Sequence, residues 1–318
     1  MVESFQPAAF TRAFSHFEPC RRLACTCCSA RHSAISSDYF DLTHDRFRPV
    51  ASSTPAWIAG NCTLQTTLRS DWPRLLSQLS TVGPGLMMSG NPAATLCSRH
   101  PYPMLHFAAR TRAANSEAGL WLDHTALGAA RVTHSRRGKT NFLNVEFADT
   151  AGRTVHRFDL TPDSNLEAFF HWMRLNQASA PHALLSGCAG TETTVEPVPP
   201  LAQPADSSLL VAVLTQCKRR AISIRATVLA GPVIQRVLFT PKSVQPVDDS
   251  LFASNEFAGL HLHRESITQL KITPPLGEKY FASPALHLDT TDGPSAVVLE
   301  MGNSAQAAEW NSVVHGLV

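Results

Sequence analysis

The sequence predicts an α+β protein of two tandem repeats, each a large antiparallel sheet with flanking helices, the two related by a pseudo-twofold axis. Three observations lead there. A set of residues recurs at one fixed spacing along the chain. Short runs alternate apolar and polar side chains. Apolar helical faces bracket those runs in both copies.

The recurrence is the strongest of the three. Gly119-Leu120-Trp121-Leu122 returns 140 residues later as Gly259-Leu260-His261-Leu262. At the same offset Leu127 matches Ile267, Arg131-Val132 matches Lys271-Ile272, and Ala148-Asp149-Thr150 matches Leu288-Asp289-Thr290. One extra residue then enters before Gly293, which stands for Gly152, and Asn165 to Met173 correspond to Ala305 to Val313. Two copies are too few for a solenoid, so a pair of α+β units is the better solution.

The elements follow in order. Ser70-Asp71-Trp72-Pro73, then Leu75, Leu76 and Leu79, reads as a capped helix with proline in its first turn. Asn141 to Phe147 alternates with period two, as does Thr154 to Leu160, and each predicts a strand with one face in water. Between them Asp149-Thr150-Ala151-Gly152 predicts a hairpin turn. Thr161-Pro162-Asp163-Ser164 predicts a helix start, with Leu166, Phe169, Phe170 and Met173 on one face. Leu209-Leu210-Val211, Val213 and Leu214 give the second copy its opening helix.

Domain boundaries follow from texture. Residues 1–55 mix Ser, Arg, His and Cys and predict a poorly ordered arm; 56–177 form the first repeat; 178–206, dense in proline, form a linker; 207–318 form the second repeat. A hydrophobic fraction of 44% against 16% charged residues excludes a disordered chain. A net charge of +2 gives no electrostatic footprint for nucleic acid. No apolar run reaches the ~18 residues of a membrane span, and the first residues lack the basic-then-apolar pattern of a secretory signal. The expectation is a cytoplasmic protein, with self-association into a homodimer left open.

Candidate ligand residues are few. Cys20, Cys25, Cys27 and Cys28, with His16 and His32, could hold a soft metal ion but lack paired CxxC spacing, so a redox-labile tail is the first reading. Cys62, Cys97, Cys188 and Cys217 are scattered and predict free thiols packed as small hydrophobes. His156 stands beside Arg157 in a strand, where one of the two should face solvent. His261 and His263 share one strand face, expected to be solvated, with a metal pair as the alternative. His182 is the only imidazole of the linker. The short basic runs Arg136-Arg137-Gly138-Lys139 and Lys218-Arg219-Arg220 predict solvated turns or helix ends. The chain carries no GxSxG elbow, P-loop, GxGxxG or HExxH, so a hydrolase or nucleotide enzyme has no positive support.

On these residues the chain resembles the bacterial HemS/ChuX-type haem-handling family in its tandem form. Leu79 to Asn91 is similar to the segment that follows the family's first helix. Leu143 to Phe169 is similar to its strand-turn-strand-helix stretch, with Asp149, Gly152, Val155-His156-Arg157 and Ser164-Asn165-Leu166 in place. In the second copy Gly231 to Gln235, Phe257 to Ile267 and Trp310 match in order and spacing. The resemblance covers about residues 57–177 and 207–318 and implies haem held in a cleft against one sheet, for intracellular carriage, utilisation and iron acquisition or, in some members, breakdown. It also marks departures. The Pro-rich linker, with His182, occupies the place of the segment that bears the family's axial histidine. Thr273-Pro274-Pro275 stands where a propionate-facing lysine is expected, leaving Lys271 and Lys279 as the nearest cations. Met301 to Ser304 and Asp123-His124 fall where the family carries arginines.

The resemblance therefore implies a haem carrier with His182, His156, His261, Lys271 and Lys279 as candidate contacts. Breakdown of haem would need an external electron donor. The alternative is a diverged member that has lost haem and serves as a structural or interaction protein.

Overall fold

The computed structural model describes residues 63–109, 112–137, 140–178, 207–247, 249–273, 283–290 and 293–316. The expected N-terminal arm, most of the linker, the basic turn at Gly138-Lys139 and the candidates His182 and Lys279 lie outside these residues.

The first copy runs through β1 (Thr63–Thr67), α1 (Trp72–Leu79), β2 (Pro84–Asn91), β3 (Ala94–Pro101), β4 (His106–Ala109), β5 (Arg112–Asn115), β6 (Leu120–Asp123), β7 (Leu127–Arg137), β8 (Thr140–Asp149), β9 (Thr154–Leu160) and α2 (Leu166–Asn176). The second runs through α3 (Ser207–Arg219), β10 (Ile224–Ala230), β11 (Val233–Phe239), β12 (Ser243–Val247), β13 (Ser250–Ser254), β14 (Ala258–His263), β15 (Ile267–Thr273), β16 (Ala285–Thr290), β17 (Gly293–Met301) and α4 (Ala307–His315). Apart from β1, the two lists are the same sequence of elements: a helix, eight strands and a helix.

Local causes are visible in each element. Pro73 sits in the first turn of α1, and Trp72, Leu75, Leu76 and Leu79 all point into the core. The indole N–H of Trp172 on α2 donates to the Leu75 carbonyl at 3.0 Å, so the two helices lock through a satisfied buried donor. Helix α2 starts later than its sequence suggests. Thr161 to Ser164 form a separate turn in which the Thr161 N–H donates to Ser164 Oγ, and Asn165 is the true cap, its Oδ1 accepting from the Ala168 N–H at 3.0 Å. The β8–β9 hairpin closes as its residues require. Asp149 Oδ1 accepts from the N–H groups of Ala151 and Arg153, and Gly152 takes φ +80°.

All strands pair antiparallel in two sheets. The nine-stranded sheet has the order β1-β7-β8-β9-β2-β3-β14-β13-β12, and the eight-stranded sheet β15-β16-β17-β10-β11-β6-β5-β4. The orders show where the pseudo-twofold relation lies. Strands β7, β8, β9, β2 and β3 of the first copy are continued by β14, β13 and β12 of the second. Equivalently, β15, β16, β17, β10 and β11 are continued by β6, β5 and β4. Neither copy owns a sheet. The seams are the pairs β3–β14 and β6–β11, and the repeated glycines stand beside them. At Gly119, φ +67°, an added Cβ would sit 2.2 Å from the Arg236 carbonyl oxygen, and the Gly119 carbonyl accepts from the Arg236 N–H.

The sheets pack face to face, and two cores fill the space between them. One joins α1 and α2 to the inner face of β7–β9 and β2 and to Ala113, Leu120 and Leu122 across the sandwich. The other joins α3 and α4 to β10, β16 and β17 and to Leu251, Ala253, Leu260 and Leu262. Each fully buried Leu, Phe or Val in these cores contributes about 1.5–3 kcal/mol. Cys97 and Cys217 are free and buried, as expected of thiols that pack as hydrophobes. Burial pushes the Cys217 thiol up to about 12.

Candidate functional site

Because side chains alternate along a strand and cross-strand partners share a face, the register assigns every strand residue to an inner or an outer face. The inner faces carry the cores. Among the described residues no helix belongs to the outer-face sets, and it is there that chemistry-bearing residues gather.

On the outer face of the eight-stranded sheet one cross-strand row reads Lys271, His287, Val298, Thr227, Arg236. The rows beside it carry Leu229, Ile234 and Trp121 on one side and Glu300, Arg225 and Leu238 on the other. The apolar members form a strip across the middle strands, and Leu238 is 57% exposed. Arg236 is fixed on this strip. Its Nε donates to Thr227 Oγ1 at 3.2 Å, and its guanidinium carbon lies 5.2 Å from the centroid of the Trp121 ring. Lys271 pairs with Asp289, the Lys half-exposed and the Asp nearly buried. His287 lies between Lys271 and Val298 and is half-buried. The face thus offers an apolar platform, an imidazole and cations at its margins.

The outer face of the nine-stranded sheet is different. Its central row reads Arg131, Glu146, Arg157, Met88, Cys97, Gly259. Arg131 pairs with Glu146 at 3.3 Å and Arg157 with Asp159 at 2.7 Å, so two cations are matched by two anions. Burial raises the Glu146 carboxyl above its ordinary value, against the pull of the Arg157 and Arg131 guanidiniums. At the far end His261 stacks on its cross-strand partner Phe252, centroids 4.2 Å apart and planes at 17°, and meets the His263 ring edge-on at 4.1 Å.

The candidates among the described residues, His156, His261 and Lys271, are therefore not brought together. His156 is on the inner face of β9, 1% exposed, with its Nδ1 2.8 Å from Ser89 Oγ and its ring among Tyr102 and Phe147. Burial pushes its pKa down to about 3. The expectation that His156 or Arg157 faces solvent fails for both, since Arg157 is folded down onto Asp159. The expectation of a solvated face at His261 fails as well. That residue is 1% exposed, and burial first, with the neighbouring His263, holds its pKa down to about 3. Lys271 stands on the other sheet. The sequence reading missed His287, Arg236 and Trp121. The alternation of Ala285 to Asp289 could have put His287 beside the already chosen Lys271, but the strand pairing that joins them is non-local.

No protein-family model matches the chain, and no curated protein matches it. Solved structures do. ChuS of E. coli, described as a haem oxygenase, matches with a TM-score of 0.64 at 16% identity, over 80% of this chain and 89% of that one. Holo-PhuS of Pseudomonas aeruginosa, described as a heme-binding protein, matches with a TM-score of 0.65 at 14% identity, over 97% of this chain and 98% of that one. Apo-PhuS matches with a TM-score of 0.63 at 16% identity, over 80% and 86%. At these identities the likeness is one of fold, and it agrees with the architecture expected from the family resemblance: the chain has the two-repeat antiparallel fold of ChuS and PhuS.

Proposed function

We propose that this chain binds haem and acts as an intracellular carrier in haem utilisation, with the outer face of the eight-stranded sheet as the binding platform. The row Lys271, His287, Val298, Thr227, Arg236 carries this reading. Haem needs a broad apolar surface, an axial donor and cations for two propionates. Leu229, Ile234, Val298, Leu238 and Trp121 supply the surface, and His287 supplies an imidazole in its midst. Arg236, which has no carboxylate partner among the described residues, supplies positive charge, and Lys271, paired with Asp289, stands at the margin. The residues present therefore fit the group. When bound, haem would bring its iron as the centre of ligand exchange. The chain's own part would be to bury the macrocycle on the apolar strip, to offer an imidazole and to neutralise carboxylates.

The two solved proteins of the same fold are described as heme-binding and as a haem oxygenase, which supports the ligand class. Among the expected contacts, Lys271 belongs to this platform. Lys279 lies in the connection between Thr273 and Ala285, which pair on the same face. His182, in the linker, is the second source of an axial imidazole. His156 is sealed in the core and His261 stands on the opposite sheet, so neither belongs to the platform. Degradation of haem at this site would need an electron donor from outside the chain. Among the described residues no helix is long and apolar enough to cross a membrane. A cytoplasmic setting is part of the proposal.

The test is a haemin titration of the purified chain followed by Soret absorbance, repeated with His287→Ala, His182→Ala and Arg236→Ala. A red-shifted band that saturates at one equivalent, and that one histidine substitution abolishes, supports the carrier reading and names the ligand. A featureless, non-saturating rise overturns it, and an interaction protein on a haem-carrier fold takes its place.

A further inference from the structure

We propose that His261 and His263 form a separate binding site for a borderline divalent transition-metal ion, such as Zn2+ or Cu2+, on the outer face of the nine-stranded sheet. Three observations meet there. Strand alternation along β14 puts both imidazoles on one face, two residues apart, and their rings approach with centroids 4.1 Å apart at 74°. Metal–imidazole nitrogen distances are about 2.0–2.1 Å, so two imidazoles sharing one ion have centroids about 4.5 Å apart at a right angle and about 5 Å apart at the tetrahedral angle. The rings need part by no more than about 1 Å to reach that spacing.

The second observation is hydrogen bonding. His261 is 1% exposed, yet neither its Nδ1 nor its Nε2 has a hydrogen-bond partner. A neutral imidazole carries one N–H and one lone pair, so burial leaves both a donor and an acceptor unanswered. The other deeply buried imidazole, His156, has Ser89 against one nitrogen. An ion on one His261 nitrogen would answer the costlier of the two groups, the bare lone pair.

The third observation is preorganisation. Phe252 holds the His261 ring flat against its own at 4.2 Å and 17°, which fixes the ligand's plane before any ion arrives. His263 is half-buried and forms the open side of the pair. Imidazole nitrogen selects Zn2+, Cu2+ or Ni2+ over Mg2+ and Ca2+, which take oxygen. No cluster of three or more His, Cys, Asp or Glu side chains able to hold a metal forms among the described residues, so solvent or an incoming ligand completes the coordination shell.

The experiment uses the full chain, stripped of metal, and three proteins: wild type, His263→Gln, and the double variant His261→Gln with His263→Gln. Zn2+ is titrated in competition with a chromophoric chelator, and Cu2+ is added for electron paramagnetic resonance. The wild type should bind one equivalent more than the double variant. His263→Gln should weaken that equivalent at least tenfold, and the two-nitrogen hyperfine pattern of bound Cu2+ should vanish with it. Equal stoichiometry and affinity in all three proteins would overturn the proposal and send the metal to Cys20–Cys28. A Soret band altered by His263→Gln with Zn2+ binding unchanged would also overturn it, assigning the pair to haem. His263→Gln alone decides if the double variant does not fold, because that side chain is only half-buried.

Discussion

On the outer face of the nine-stranded sheet, Arg131 is matched by Glu146 and Arg157 by Asp159. On the equivalent face of the eight-stranded sheet, Arg236 lies over Trp121 and is held by Thr227 without a carboxylate partner among the described residues. The two faces descend from the same arrangement of strands. One has spent its cations internally and the other keeps one available over an apolar strip. A repeated fold thus repeats the strand framework, while the side chains on each copy decide whether a cation is matched by a carboxylate. The imidazoles make the same point within one sheet. His156, on the inner face, has a hydroxyl partner; His261, on the outer face, has none.

Acid is the strongest way to probe this contrast. Both His156 and His261 have folded-state pKa values near 3, far below the ordinary imidazole value. The unfolded chain takes up protons that the folded chain refuses once pH falls below about 6.5, so stability is lost from there down to about pH 3, at up to ~1.4 kcal/mol per pH unit for each imidazole. Urea midpoints at pH 7, 5.5 and 4.5 should show this limb, and His261→Phe should make it shallower. An equally steep limb in that variant would place the His261 ring in solvent.

Next in size is the matched pair. Asp159→Ala leaves the Arg157 guanidinium buried without its carboxylate and should cost about 3 kcal/mol in the urea midpoint at pH 7. Asp289→Ala on the other face frees a half-exposed lysine and should cost less than about 1 kcal/mol. Equal losses would erase the distinction drawn between the faces. Arg236→Ala should weaken haemin about tenfold, or ~1.4 kcal/mol, while Arg99→Ala on the opposite sheet leaves it unchanged. The smallest effect is a gain. His261→Phe removes two unanswered nitrogens beside Phe252 and should raise stability by about 1 kcal/mol at pH 7 in metal-free buffer. A loss would show that those nitrogens are satisfied in solution.

Much of the fold could be read in advance because its signals are local. Leu75, Leu76 and Leu79 recur at helical spacing, Asp149 and Gly152 close their own turn, and the recurrence of Gly119 as Gly259 marks the repeat. The exchange of strands between the sheets left no local trace, since the residues of β6 alternate in the same way whichever strand they pair with. The proposed platform was half legible. Lys271 came from the family resemblance, as a cation near Thr273-Pro274-Pro275. His287 and Arg236 reach the same row only through pairing across β16, β17, β10 and β11, which no window of sequence contains. The burial of His261 was hidden for the same reason: alternation says which side a residue takes, not how deeply that side is covered.

The seams β3–β14 and β6–β11 change what the peptide between the copies is for. Each half reaches across and is clasped by hydrogen bonds into the sheet of the other, so the two copies are held together by more than the covalent joint. A protease that nicks the chain between residues 178 and 207 would leave two fragments travelling together as one particle. The halves would melt in a single step rather than in sequence.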